Sequence, residues 1–430
     1  METIFIYLLL SFSFVTLNDM WGQLDFTYLL PRGEAYDFFF VVALIVGGIL
    51  LVSRYRIIKI TNDIKVMVGA FGCIVLYCML NGIYCVVSGT QGIVATALVL
   101  REVLYLGVVA IFLVGKYNPK RAVQLLTILD CIGCVIAIAE VVVGPVSPLR
   151  VNGKYEVGVS YWRSYSDVPM LAFFLCPLLI YGLGAGQYLF GKWIDCILLL
   201  LLVTTKILKM SRVSIFALIV VCGIAFLLCK GKDWKSIVKQ LLWMMGLGVL
   251  GIGMIAIVMP ELFVRFKDGI MGVLHLEGAS NISADTMSYR WATMRARWNY
   301  LLKHQRMLWG MGPLHNDLPI DLEDNYNWIN NDVVAPDITY GAMLLRYGVI
   351  GGVVFVGNLL AISVMAWKNT NIVMKSFGLF ILASLIEGIT SHSSLAFGAF
   401  LKIGILFGIA WKSVSVVDQN GEKIYEGGTH

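Results

Sequence analysis

One apolar run after another, separated by short polar stretches, constrains this chain more than any other feature. In lipid every backbone N–H and C=O needs a partner inside the protein, and a single apolar segment satisfies them all only as a helix. Runs of about 15–25 residues can each cross a bilayer in that form. They fall near 3–18, 37–52, 66–87, 93–115, 122–143, 168–185, 193–209, 213–229, 240–259, 338–366, 376–390 and 394–411. Charged residues make up 14% of the chain, against about a quarter in soluble domains, which excludes a soluble enzyme. The expected fold is an all-α polytopic integral membrane protein of about twelve transmembrane helices, with one large external loop that contains helices of its own.

Lysines and arginines set the sidedness. Alternate loops carry "SRYRIIKITNDIK", "GKYNPKR", "CKGKDWKSIVK" and "WKNTNIVMK", and basic loops belong in the cytoplasm. Both termini then lie inside. The expected organisation is a transmembrane bundle of about nine spans over 1–259, a large periplasmic or extracellular loop over 260–337, C-terminal transmembrane helices over 338–411 and a cytoplasmic tail over 412–430. The first twenty residues resemble a signal peptide in hydrophobicity, but they lack a basic n-region and a small-residue cleavage site. They read as a retained first span.

Several familiar signals do not survive their context. Cys131 and Cys134 form a C-x-x-C inside "LLTILDCIGCVIAIAEVVV", where buried small hydrophobes are the expected reading. Gly246, Gly248 and Gly251 match G-x-G-x-x-G, but within an apolar span and with no preceding strand, so helix packing accounts for them. His275, His304 and His392 do not make metal-ligand spacing with external acids. No metal, no cofactor and no nucleic-acid partner is expected.

The external loop holds "SYRWATMRARWNYLLKHQRMLWGMGP", Ser288 to Pro313, dense in arginine and tryptophan. From Ala284 to about Trp309 it reads as a helix. Trp291, Met294, Trp298, Leu301 and Leu302 make one apolar stripe, and Arg290 and Arg297 lie a heptad apart on a neighbouring face. One reading is an interfacial helix with snorkelling arginines, since indole favours the membrane–water boundary. A sharper reading adds the other charges expected on the outer side. Arg212 sits in a turn between two spans, and Arg101, Arg346 and Lys402 fall about eight residues below the outer ends of theirs. Glu102, Glu140 and Glu387 occupy the same outer half as candidate cavity acids. A charge at that depth costs about 2.5–3.5 kcal/mol on insertion scales and normally faces a partner or a wet cavity. Guanidinium is a planar fork suited to phosphate oxygens, so Arg290, Arg297, Arg212, Arg101 and Arg346 are candidate ligands for a lipid-linked diphosphate.

At this point the sequence resembles the bacterial O-antigen and capsular polysaccharide polymerases (Wzy type), in a superfamily shared with the O-antigen ligases. "TKILKMSRVSIFALIV" resembles the family's Ser-Arg turn between spans, and Ser288–Pro313 resembles its arginine-rich loop helix followed by G-x-G. "PDITYGAMLLRYGVIGG" resembles the re-entry into the membrane, which ends in tyrosine or leucine, glycine, two apolar residues and glycine. The resemblance implies a membrane glycosyltransferase of the inner membrane. A hydroxyl of one undecaprenyl-diphosphate-linked repeat unit would attack the anomeric carbon of another, with inversion and without a metal. It also implies membrane lipids, a chain-length regulator and a flippase as partners, in lipopolysaccharide or capsule synthesis.

Ligases of the superfamily carry a histidine eleven residues before the first glycine of the re-entry pattern. Counting back from Gly348 lands on Asp337 instead, while His315 lies well upstream of that register. This favours polymerase over ligase. Asp337 becomes the candidate base or acceptor-orienting group, with His315 the second catalytic candidate, and capping the following helix is the structural alternative for Asp337. A lipid-linked oligosaccharide flippase is the rival from another class. It would show two similar halves and short outer loops, and neither is visible in the sequence.

Overall fold

The computed structural model describes residues 2–17, 35–54, 61–143, 153–154, 163–164, 169–208, 212–229, 246, 253, 294–314, 339–389 and 399–415. The helices are α1 (Glu2–Leu17), α2 (Ala35–Arg54), α3 (Asn62–Val87), α4 (Ile93–Leu104), α5 (Val109–Val114) and α6 (Pro119–Val143), with a 3-10 turn at Tyr105–Val108 joining α4 to α5. They continue as α7 (Ala172–Ala185), α8 (Lys192–Leu208), α9 (Arg212–Leu227), α10 (294–303), α11 (Thr339–Lys368), α12 (Ile372–Glu387) and α13 (Ala399–Ser415). Gly153–Lys154 and Arg163–Ser164 add a minimal antiparallel ladder. Every expected apolar run falls on these helices except 240–259, of which only Gly246 and Gly253 are described.

By length and composition four helices suffice to cross a membrane: Asn62–Val87, Ile93–Val114, Pro119–Ala139 and Thr339–Lys368. Shorter apolar helices, among them Ala172–Ala185 and Val213–Leu227, stand beside them. The chain is a helical membrane protein. Its exposed side chains include Leu76, Leu80, Ile83, Ile197, Phe216, Ile219 and Val353, as a lipid-facing surface requires. The buried centre is aromatic, with Phe407 against Phe71 at 5.2 Å and Phe377 at 5.5 Å between ring centroids.

Polar contacts sort the loops into two ends. At one, Glu2 pairs with Arg54 at 2.7 Å and accepts from the Lys116 amide, Tyr7 reaches the Asn118 carbonyl, and Asn371 donates to the Ser413 carbonyl. The other end of α3 carries Gln91, which donates to the Pro313 carbonyl.

Two buried aspartates tie down the chain just ahead of a helix. Helix α7 has 14 residues, which at about 1.5 Å each reach roughly 21 Å, short of a hydrocarbon core near 30 Å. Its first amides open inside the bundle. The fully buried Asp130 accepts from the Met170 and Leu171 amides at 2.9 and 3.1 Å, which stabilises that opening. Asp195 does the same for Leu189 and Phe190. The neighbouring Cys131 and Cys134 are buried and not disulfide-bonded, as their apolar context suggested.

Two expectations need correction. The loop helix does not run to Trp309. It stops at 303, because Gln305 takes a left-handed φ of 54° and the amides of Gln305 and Arg306 turn back onto the carbonyls of Leu302 and Leu301, a Schellman-type end. The span near 338–366 is likewise two helices, broken at Gly348 (φ 65°, ψ −170°).

Candidate functional site

The break at Gly348 frees backbone groups inside an apolar bundle, and each unmet group there is costly. A second segment of the chain meets them. The amides of Met311 and Gly312 donate to the carbonyls of Leu345 and Arg346, both at 2.8 Å. In return the amides of Val349 and Ile350 donate to the carbonyls of Met307 and Leu308, at 3.0 and 3.1 Å. The remaining carbonyl, Tyr347, accepts from the Tyr77 hydroxyl of α3 at 2.7 Å. The result is a reciprocal backbone interlock between the G-x-G segment and the broken helix. Its closeness explains two glycines. A Cβ on Gly310 (φ 73°) would sit 2.5 Å from the Arg346 carbonyl oxygen, and one on Gly348 would strike the Leu308 carbonyl.

The half-helix 339–347 ahead of the break collects the charged groups. Arg297 from α10 is fully buried, with Nη1 so close to Gly341 that a Cβ there would lie 2.6 Å from it. Met294 and Leu301 share that inward face, while Trp298 and Leu302 are exposed. The expected stripe therefore divides: its indole faces outward and the arginine faces in. Arg306 precedes the G-x-G, its guanidinium 4.8 Å from the Tyr84 ring. Its buried Nη1 has no hydrogen-bond partner among the described residues. Arg346 is half-buried on the half-helix itself, and Arg101 is half-buried on α4.

Beyond the half-helix lies an ionic cluster. Tyr340 donates to the Leu385 carbonyl of α12 at 2.6 Å, two residues before Glu387. The Glu387 carboxylate accepts from Ser214 of α9 and lies 3.9 Å from Nζ of Lys206 on α8. Lys206 also stands 4.6 Å from the Phe173 ring centroid. All three polar side chains are buried. Glu387, a candidate cavity acid, is buried and has Lys206 opposite it as an ion-pair partner. Lys402 is buried as well.

The structure thus sets Arg297 against the half-helix on which Arg346 lies. Arg212 begins α9, in the turn where it was expected. Asp337, His315 and Arg290 lie outside the described residues, as do the side chains of Glu102 and Glu140. Sequence reasoning passed over Lys206, Ser214, Tyr77, Asn81 and Gln91. Lys206 carried a usable signal, a lysine inside an apolar run of the same depth as the outer acids. The α3 residues carried none, since their partners are more than two hundred residues away.

Residues 197–356 match the family described as O-antigen ligase. No curated protein matches the chain. The matched segment runs from α8 to the middle of α11, so it contains Lys206, Ser214, Arg212, α10, the G-x-G and the break that receives it. Broken helix and arginine-bearing loop fall on the matched stretch, and the match supports the O-antigen ligase/polymerase superfamily.

Proposed function

We propose that the chain is a polysaccharide polymerase, joining undecaprenyl-diphosphate-linked oligosaccharide repeat units at the outer face of the bacterial inner membrane, with both of its own termini cytoplasmic. The observation that carries this reading is the buried Arg297 set against the half-helix that itself carries Arg346, inside the family segment. An acceptor hydroxyl oxygen attacks the anomeric carbon of the donor glycan and inverts it. The carbon–oxygen bond to the lipid diphosphate breaks, and the diphosphate leaves with the electron pair. Arg297 and Arg346, with Arg290, Arg212 and Arg101, stabilise that departing charge through their forked donors. Asp337 takes the hydroxyl proton. Diphosphate is already a good leaving group, so the reaction calls for no metal. Glu102 and Glu140 are assigned to the walls of the same cavity.

Deleting the gene and profiling the host's glycans tests the reading. A polymerase leaves single-repeat glycans in place and removes long chains, whereas lipid-linked units trapped inside would mean a flippase. A second reading, ligase, is favoured by the description of the matched family and by His315. Loss of all transfer to the terminal acceptor would establish it. At residue level, Asp337→Asn is expected to bind lipid-linked substrate and make no polymer in a purified assay, with His315→Ala milder. The reverse ranking moves the assignment to ligase.

A further inference from the structure

We infer that Tyr77 and Asn81 of α3 are positioning residues for glycosyl transfer, riveting the G-x-G segment to the broken helix from a part of the chain outside the family match. This deepens the functional reading above and rests on it. The two residues lie one helical turn apart, and each donates one hydrogen bond to a backbone carbonyl on opposite sides of the interlock. The Tyr77 hydroxyl reaches the Tyr347 carbonyl on the helix side at 2.7 Å. The Asn81 amide reaches the Trp309 carbonyl on the loop side, also at 2.7 Å. The Tyr77 ring lies parallel to Trp309 with centroids 6.3 Å apart, and meets Tyr347 edge-on at the same distance. Asn81 is 2% exposed and Tyr77 is buried.

Helix α3 is a long, capped span that packs along α11, so it is a stable reference frame. The interlock is held on that frame at two points. Arg346 supplies a backbone carbonyl to the interlock, and the Arg306 carbonyl accepts from the Gly310 amide within the G-x-G segment that the interlock holds, so its geometry bears on where both guanidinium groups start. Removing a rivet leaves a buried carbonyl unmet and lets the loop lift, which moves the cations that receive the leaving group.

The molecule carries its own reporter. Cys85, on α3, is buried directly beneath Gly312. Cys176, on α7, is buried remote from the interlock in sequence and carried by a different helix. The full-length protein in nanodiscs is alkylated with N-ethylmaleimide, and each cysteine peptide is quantified by mass spectrometry. Turnover and KM are measured on lipid-linked repeat units in the same preparations. Tyr77→Phe and Asn81→Leu are each expected to speed Cys85 labelling about tenfold and to lower turnover by a similar factor at unchanged KM, with Cys176 still protected. Unchanged Cys85 labelling in both variants overturns the rivet, whatever the turnover. Faster labelling with wild-type turnover overturns the positioning role. Exposure of Cys176 together with Cys85 shows general loosening and also overturns it. A wild type that transfers nothing overturns the functional reading alone, because the labelling arm still reports on the rivet.

Discussion

Two regions near the half-helix 339–347 solve the same problem with different materials. The interlock satisfies a break in an apolar bundle with uncharged backbone groups, four of its hydrogen bonds running between main chains at 2.8–3.1 Å. The Lys206–Glu387–Ser214 cluster joins α8, α9 and α12 with charged side chains instead. Backbone pairing fixes position while depending little on which side chains are present, but it tolerates no added bulk. A buried ion pair tolerates joint replacement, yet is strongly destabilised when one member alone is removed. The two regions should therefore fail in different ways.

The largest effect is expected at the interlock. Gly348→Ala places a methyl group against the Leu308 carbonyl at a left-handed φ, so long-chain glycan should disappear from host profiles although the protein still inserts. Wild-type chain lengths in this variant would break the contrast. Glu387→Gln comes next. Leaving Lys206 without its carboxylate should cost about 3–5 kcal/mol, read as a fall in detergent unfolding temperature, and Lys206→Met with Glu387→Gln should recover most of it. A recovered fold with no transfer would sharpen the comparison by giving the pair a chemical role. Asp130→Asn should be smaller. One of the two capping bonds at α7 survives, so a loss of about 1–2 kcal/mol is expected in the same assay. Trp298→Ala should cost least, under about 1 kcal/mol, because the indole is on the exposed face of α10 and clear of the interlock.

Most of the helical layout was legible in the sequence, because lipid leaves a run of apolar residues only one local structure. The starts of α3 and α12 lie four residues ahead of the expected runs at 66 and 376, because Thr61 and Asn371 accept from the first amides of those helices. The break at Gly348 was not. "YGVIGG" sits in an unbroken apolar run, and glycine is common in membrane helices that do not bend. What makes it a break is the segment Met307–Gly312, some forty residues upstream, which supplies the missing backbone partners. The site was legible as chemistry and less so as geometry. Arg297 and Arg346 stood out by residue type and depth, and Arg297 packs against the half-helix that carries Arg346. That Arg297 turns inward while Trp298 turns out depended on Gly341, whose missing side chain makes room for the guanidinium. Lys206 was visible as a lysine inside an apolar run, but only the fold reveals Glu387 across from it.

The interlock has one more consequence, for how such a protein diversifies. A joint made of amides and carbonyls is indifferent to the side chains that project from it. Met311, Val349 and Ile350 can therefore be exchanged without loosening the joint, provided Gly310 and Gly348 remain bare. Under the proposed function, a chain built this way keeps its grip on the leaving group and lets the neighbouring positions drift toward a new sugar.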